Sequence, residues 1–274
     1  MCIEMVCSTD TGQVRDHNED HIGTDKSLGL AILADGMGGY QAGEVASEMA
    51  VKTIIEKLGT LPKTHFHKHR KANHRYHSAT VLLEQAVLKA NQIIYNLAEQ
   101  QAQYQGMGTT VVAVLFHDNF ISVAHVGDSR LYRLRGKTFC QLTKDHSVRQ
   151  ELIDCGYYTT EQARHSRNKN LVTRALGVGS QVNVEIQEHK LLAQDIYLLC
   201  SDGLNDMVDD SDIYTILKQT VTFEEGAQLL TQAANEKGGK DNISLILVRS
   251  TQMTHKAKKT WWQRWFNFFN NDKD

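Results

Sequence analysis

The sequence predicts an α+β fold built in layers, with sheets covered on both faces. Three observations predict it. Several strand-like runs are apolar on both faces, as strands buried from two sides are. Helix-like stretches carry apolar residues at i, i+3, i+4 and i+7, which makes one buried stripe each. Strands also follow one another in the middle of the chain, which favours α+β layers over a regular β-α-β winding.

In chain order, residues 28–34 form the first such strand. A row at Ala42, Ala46, Ala50, Ile54 and Leu58 predicts a helix, and Leu83, Ala86, Val87, Ala90, Ile93, Ile94 and Leu97 predict a second. Strands are expected over 110–116, 120–126 and 131–135, then over 182–188 and 196–200. Thr159 and Gln162 have capping-box spacing before a short helix. Thr222 and Glu225 have it before a longer one, striped by Phe223, Ala227, Leu230 and Ala234. Residues 243–248 give the last strand.

Composition narrows the class. The chain has 274 residues, 41% of them hydrophobic and 23% charged, which excludes wholesale disorder and a disulfide-stapled miniprotein. Thirty basic against 32 acidic side chains give a net charge of −2, so no nucleic-acid partner is expected. No run approaches the ~20 apolar residues of a membrane span. The N-terminus shows no secretory pattern, and five scattered cysteines fit a reducing cytoplasm. Residues 1–250 read as one domain and 251–274 as an appended tail.

The position of the aspartates carries the chemistry. Asp35, Asp128 and Asp202 each follow a buried run, and Asp241 immediately precedes one. Antiparallel pairing sets the end of one strand beside the start of the next, so these acids can gather at one pole of a sheet. Glu19 and Asp20 add two more from a loop. Any single aspartate there is an ordinary turn former. A crowd of them repels itself unless hard divalent cations sit between. Oxygen donors favour Mg²⁺ or Mn²⁺, and no cysteine or histidine is placed to select zinc. Gly36, Gly38 and Gly39 follow Asp35 directly, where glycine permits close backbone approach to a ligand.

Eight motifs then stand in order: Arg15-Asp-His-Asn-Glu19-Asp20, Asp35-Gly-Met-Gly-Gly39, Gly106-Met-Gly-Thr-Thr110, Val126-Gly-Asp128-Ser-Arg130, Leu142-Thr-Lys-Asp145-His146-Ser147, Leu171-Val-Thr-Arg-Ala-Leu-Gly177, Cys200-Ser-Asp202-Gly-Leu204 and Gly239-Lys-Asp241-Asn242. Over about residues 5–249 the chain resembles the bacterial, type 2C-like metal-dependent serine/threonine phosphatases of the PPM type. The resemblance implies a four-layer α-β-β-α sandwich with two central antiparallel sheets and a metal cleft at one edge. It implies that Asp35 bridges two metals, that Glu19 and the Gly36 carbonyl complete one site, and that Asp202 and Asp241 complete the other. Asp128, with Asp202, matches a third, weaker site. Asp20 matches a supporting position and Arg15 the phosphate clamp, with Arg15 and Asp35 as the catalytic pair.

The implied chemistry needs no phosphoenzyme. Two ions roughly 3.5–4 Å apart activate a water that attacks phosphorus, while Arg15 offers a planar fork to the phosphoryl oxygens. Cys200 is accordingly assigned to the core. Where eukaryotic relatives carry a histidine after the Asp-Gly pair, this chain has Met37, so no general acid is assigned; His125 and His146 stand nearest to the motifs. Residues 145–170 match the variable flap beside the family's active site, with Arg164, Arg167 and Lys169 as basic side chains in it.

Two segments stand apart. Residues 63–77 hold five histidines and five basic residues, and read as a solvated connection between helices. In the tail, Trp261, Trp265 and Phe268 repeat at i, i+4 and i+7 after Lys256, Lys258 and Lys259. That pattern suits a lipid surface, a partner's groove or packing back on the domain. The leading reading is a Mg²⁺- or Mn²⁺-dependent phosphatase that acts on phosphorylated proteins, opposes a serine/threonine kinase and works as a cytoplasmic monomer, with the tail at the membrane face or on a partner. The other readings are a non-catalytic module with the same fold and a two-metal nuclease or phosphodiesterase.

Overall fold

A computed structural model describes residues 3–39, 42–66, 75–159, 162 and 171–250. Two antiparallel sheets stack face to face. One runs in the order β1 (Ile3–Asp10), β11 (Ile243–Ser250), β10 (Ile196–Cys200), β7 (Arg130–Arg135), β8 (Thr138–Gln141). The other runs β2 (Asp20–Asp25), β3 (Leu30–Met37), β5 (Val111–His117), β6 (Phe120–Val126), β9 (Glu185–Lys190), with the short β4 (Gly108–Thr109) paired to β3. Helices α1 (Ala42–Gly59) and α2 (Ser78–Gln100) cover the second sheet. The first is covered by α4 (Asp202–Asn205), α5 (Asp210–Gln219) and α6 (Phe223–Glu236); α3 (Val148–Asp154) follows β8.

The two-sided apolar runs are explained by this stacking. In β3, Leu30, Ile32 and Ala34 face the helices, where they meet Ala46, Ile54, Leu83 and Val87. Ala31 and Leu33 face the other sheet and join Met5, Leu131, Tyr197 and Ile246 in the layer between sheets. Each strand thus feeds two cores with period two. A third core forms where Leu198, Leu245 and Leu247 meet Leu230 and Ala234 of α6. Cys200 lies in that core, fully buried, as expected.

Seven elements were not visible in the sequence pattern: β1, β2, the short β4, β8, α3, α4 and α5. β1 and β2 are edge strands with mixed burial, and such strands need no apolar alternation. β8 is a short edge strand, and α5 buries only Ile213 and Leu217. β9 also begins later than expected, at Glu185. Val182 and Val184 pack on the helix-side core before the ladder starts, which displaced the predicted strand toward them.

The caps behave nearly as the spacing predicts. Thr222 accepts a hydrogen bond from the Glu225 N–H at 3.2 Å, but the Glu225 carboxylate takes the N–H of Val221 instead of that of Thr222. Thr159 and Gln162 form the full reciprocal pair, at 2.9 and 3.2 Å. The expectations for 67–74, for 163–170 and for the aromatic tail lie outside the described residues. Among the described residues no helix is long and apolar enough to cross a membrane.

Candidate active site

The two sheets bring their acids to one pole through strand register. Asp20 opens β2 and sits directly opposite Asp35 in β3. Like charges in opposed positions are destabilising in a sheet, so this pair is costly by itself. Asp202 starts α4 just after β10, and Asp241 lies just before β11, the strand that pairs with β10.

Close backbone packing fixes the rest. The Gly36 N–H donates to the Glu19 carbonyl at 3.1 Å, and the Ser47 hydroxyl donates to that carbonyl at 2.6 Å. A Cβ on Gly36 would stand 2.1 Å from the Gly43 carbonyl oxygen, so no larger residue fits. Thr109 and Thr110 hold the Asp35 carbonyl from the other side, at 2.9 and 2.8 Å. Asn242 ties the loop carrying Arg15 and Glu19 to Asp241. Its side-chain oxygen accepts from the Glu19 N–H at 2.8 Å, and its amide donates to the carbonyls of Thr11 and His17. Ser201 donates to Asp20 Oδ2 at 2.8 Å.

The electrostatics show that these acids share one space. Burial, followed by the charges of Asp20, Asp202, Asp128 and Asp241, holds the Asp35 carboxyl well above its ordinary range. Burial, then Asp128, Asp206 and Asp241, does the same to Asp202. Asp20 is pushed up to about 7, chiefly by burial, against hydrogen bonds from Ser244 and Ser201. Asp128 rises to about 6 through burial and the neighbouring Asp145, and Glu19 rises through burial with Asp241 adding. Among the described residues, the ion pair that reaches this group joins Arg15 to Asp241, at 2.8 Å with Arg15 half-exposed.

All the residues singled out from the sequence therefore meet: Arg15, Glu19, Asp20, Asp35, Gly36, Asp128, Asp202 and Asp241. Asn242, Ser201, Ser47 and the Thr109–Thr110 pair were not singled out. Each is a small polar residue inside a quoted or neighbouring motif, and nothing in the residue type separates a site brace from a turn.

The group fits divalent cations on its own terms. The donors are oxygens, which suits Mg²⁺ or Mn²⁺. Asp20 Oδ1 is buried with no hydrogen-bond partner among the described residues. The crowded carboxyls favour protonation unless positive charge enters. The histidines behave differently. His125, His146 and Glu185 do come together, with donor atoms within 4.8 Å of one another. This group is separate from the carboxylates expected to hold Mg²⁺ or Mn²⁺, and His146 is already committed to hydrogen bonds. Burial and His146 hold His125 down to about 4, so it is neutral near pH 7.

A two-sheet sandwich that collects carboxylates at one pole around close-packed glycines is an arrangement suited to a metal-dependent hydrolase. The chain belongs to the protein phosphatase 2C family, whose model matches residues 10–243. The serine/threonine phosphatase stp of Listeria innocua is 38% identical over 249 residues, covering 89% of this chain and 95% of that one. The structure of Stp1 from Staphylococcus aureus matches with a TM-score of 0.81 at 33% identity, covering 91% of this chain and 96% of that one. The catalytic domain of the phosphatase PstP, solved with two manganese ions, matches with a TM-score of 0.78 at 34% identity, covering 90% and 97%.

Proposed function

We propose that this protein hydrolyses phosphoserine and phosphothreonine monoesters on proteins, using Mg²⁺ or Mn²⁺ held by Asp35, Glu19, the Gly36 carbonyl, Asp202 and Asp241, with Asp128 contributing to a further, weaker site. The observation that carries this reading is the convergence of acids at one pole: burial and neighbouring carboxylates, Asp241 among them, raise the pKa of Glu19, Asp20, Asp35, Asp128 and Asp202. When bound, such ions lower the pKa of water and neutralise phosphoryl charge.

The chain's own residues do the rest. The acids Asp20, Asp202, Asp128 and Asp241 around Asp35, together with its removal from water, disfavour its charged form, and cations beside it would favour that form. Asp20 braces the pole through Ser201. Arg15 is half-exposed at the rim and already bonded to Asp241, so it is placed to draw an entering phosphoryl group toward the acids. Asn242 keeps the Arg15 loop and the Asp241 loop in register.

The test is release of phosphate from phosphoserine and phosphothreonine peptides with Mn²⁺, Mg²⁺ or chelator. Turnover should require the metal. Turnover that persists in chelator would overturn the reading.

The same reading assigns a phosphatase body at 1–250, protein substrates phosphorylated by a serine/threonine kinase, a monomeric state and a cytoplasmic site of action. The tail at 251–274 is read as a contact segment for a membrane surface or a partner. Co-sedimentation with anionic vesicles examines the membrane half: the full chain should pellet, and a version ending at Gln252 should stay in solution.

A further inference from the structure

The turn that carries Asp128 is held at both ends by one dipeptide, Asp145-His146. At one end, Arg130 makes a bidentate pair with Asp145, with Nε to Oδ1 at 2.9 Å and the terminal nitrogen to Oδ2 at 2.7 Å. At the other, His146 holds Gly127 twice. The His146 backbone N–H donates to the Gly127 carbonyl at 2.8 Å, and the Gly127 N–H donates to His146 Nδ1 at 3.1 Å. Gly127 has little freedom of its own. Its φ of +109° is a glycine conformation, and a Cβ there would stand 2.6 Å from the side chain of Thr110.

The Gly127 bond demands one tautomer. Nδ1 must be the acceptor, so the ring proton sits on Nε2. Glu185 Oε2 lies 3.2 Å from Nε2 and accepts that proton's hydrogen bond. Gln187 holds the other Glu185 oxygen at 2.7 Å. Cross-strand register sets Glu185 opposite His125, whose ring lies against that of His146 with centroids 4.6 Å apart. The ring is thus oriented from Nε2, from its face and from Nδ1.

We propose that His146, with its tautomer set by Glu185, is a positioning residue that fixes the backbone at Gly127 and so the placement of Asp128 toward the divalent-cation site. The proposal rests on the reading of Asp128 as a ligand. The same three side chains also resemble a zinc-type donor set. Two observations weigh against a metal there. The Gly127 N–H occupies Nδ1. With the Nε2 proton directed to Glu185, the guanidinium nitrogen of Arg174, 3.3 Å from Nε2, is a neighbouring positive charge and not a hydrogen-bond donor to that nitrogen, a charge that repels a metal ion there.

The experiment compares full-length wild type with His146→Asn, His146→Phe and Glu185→Ala. Asparagine keeps an acceptor near the Nδ1 position, and phenylalanine keeps the ring and loses it. Two quantities are read: the Mn²⁺ concentration for half-maximal phosphopeptide turnover, and amide hydrogen exchange at Gly127 without substrate. We expect His146→Phe to raise the Mn²⁺ requirement and to speed Gly127 exchange, each by about tenfold, as befits an orphaned buried N–H. The peptide KM should be unchanged. His146→Asn should recover most of both effects, and Glu185→Ala should fall between. Wild-type Mn²⁺ dependence and exchange in His146→Phe would overturn the proposal, as would one equivalent of Zn²⁺ bound by the wild type in excess Mg²⁺ and lost in Glu185→Ala. If the wild type shows no metal-dependent turnover, the functional reading fails, while Gly127 exchange still decides whether His146 holds the turn.

Discussion

Asp35 and Asp145 are aspartates near the same end of the sandwich, Asp145 buried and Asp35 partly so, and their carboxyls are pushed in opposite directions. For each, burial is the largest influence and favours the neutral acid. At Asp35 the neighbours are more acids, so the shift grows. At Asp145 the neighbours are Arg130, Arg149 and Gln141, and they outweigh burial, so its carboxyl lies below the usual range. Arg149 extends this network to Asp206 at 3.2 Å. One region supplies its own countercharge and is complete as a structure. The other leaves that charge to be supplied, which is the physical content of a cation site. Buried acid alone says nothing about function; the sign of the charge next to it does.

The contrast predicts opposite outcomes for one chemical change. Asp35→Asn or Asp202→Asn should cut metal-dependent turnover by at least ~10²–10³-fold, comparable to losing a major electrostatic contributor at a reacting centre. The metal-free fold should keep or gain thermal stability near pH 7.5, because an amide occupies the crowded position with no cost of either charging or protonating a carboxyl there. Asp145→Asn should do the reverse in stability. It leaves the buried guanidinium of Arg130 short of its counterion, and breaking such a pair costs about 3–5 kcal/mol. Thermal melts with chelator present, beside turnover with Mn²⁺, separate the two. A stability loss in Asp35→Asn as large as that in Asp145→Asn would erase the distinction.

The pH dependence of stability follows with its sign. Asp20 and Asp128 have folded-state values raised to about 7 and about 6, above their unfolded values. The folded state therefore holds more protons than the unfolded chain. The stabilisation is present below the unfolded pKa and is lost as pH rises through the folded values. Metal-free protein should lose stability between about pH 4 and pH 7, and Mn²⁺ should restore most at the upper end. Asp145 contributes in the other direction, since its folded value is lowered and its support is lost only in strong acid. A metal-free melting temperature that climbs steadily from pH 4 to pH 7 would contradict the crowded-acid account.

How much of this was legible in the sequence depends on what marks each residue. Asp35 and Asp202 stand out because a charge directly after a buried strand is a conspicuous event in a hydrophobic pattern. Within each sheet the meeting of strand ends follows from antiparallel pairing, whereas the sharing of one pole by the two sheets follows from their stacking. Asn242 and Ser201 carry no such mark, although the register of the site passes through them. Arg130 and Asp145 are fifteen residues apart and announce no pairing. β1 and β2 escaped for a related reason: these edge strands are mostly half-buried along their length, so they show neither an apolar run nor a clean alternation to read. His146 could be noticed as part of a motif, but its role appears only with the Gly127 bond, because tautomer and partner are properties of geometry.

The smallest expected effect tests the rim of the acidic group. Arg15 stands between the two regions in character, a cation that visits the acids without being buried among them. Its pair with Asp241 is a single hydrogen bond with the guanidinium half-exposed. Such pairs contribute about 0–1 kcal/mol, so Arg15→Ala should leave the melting temperature within a degree or two. Two other quantities should move in opposite directions. KM for a phosphopeptide should rise about tenfold, the scale of one charge-assisted hydrogen bond to phosphate. The Mn²⁺ requirement should fall, because a competing cation leaves Asp241, and Arg15 also acts on Glu19 and Asp202. If both rise together, Arg15 is bracing the loop for metal rather than receiving phosphate, and the division between self-paired and cation-seeking acids would have to be redrawn to include it.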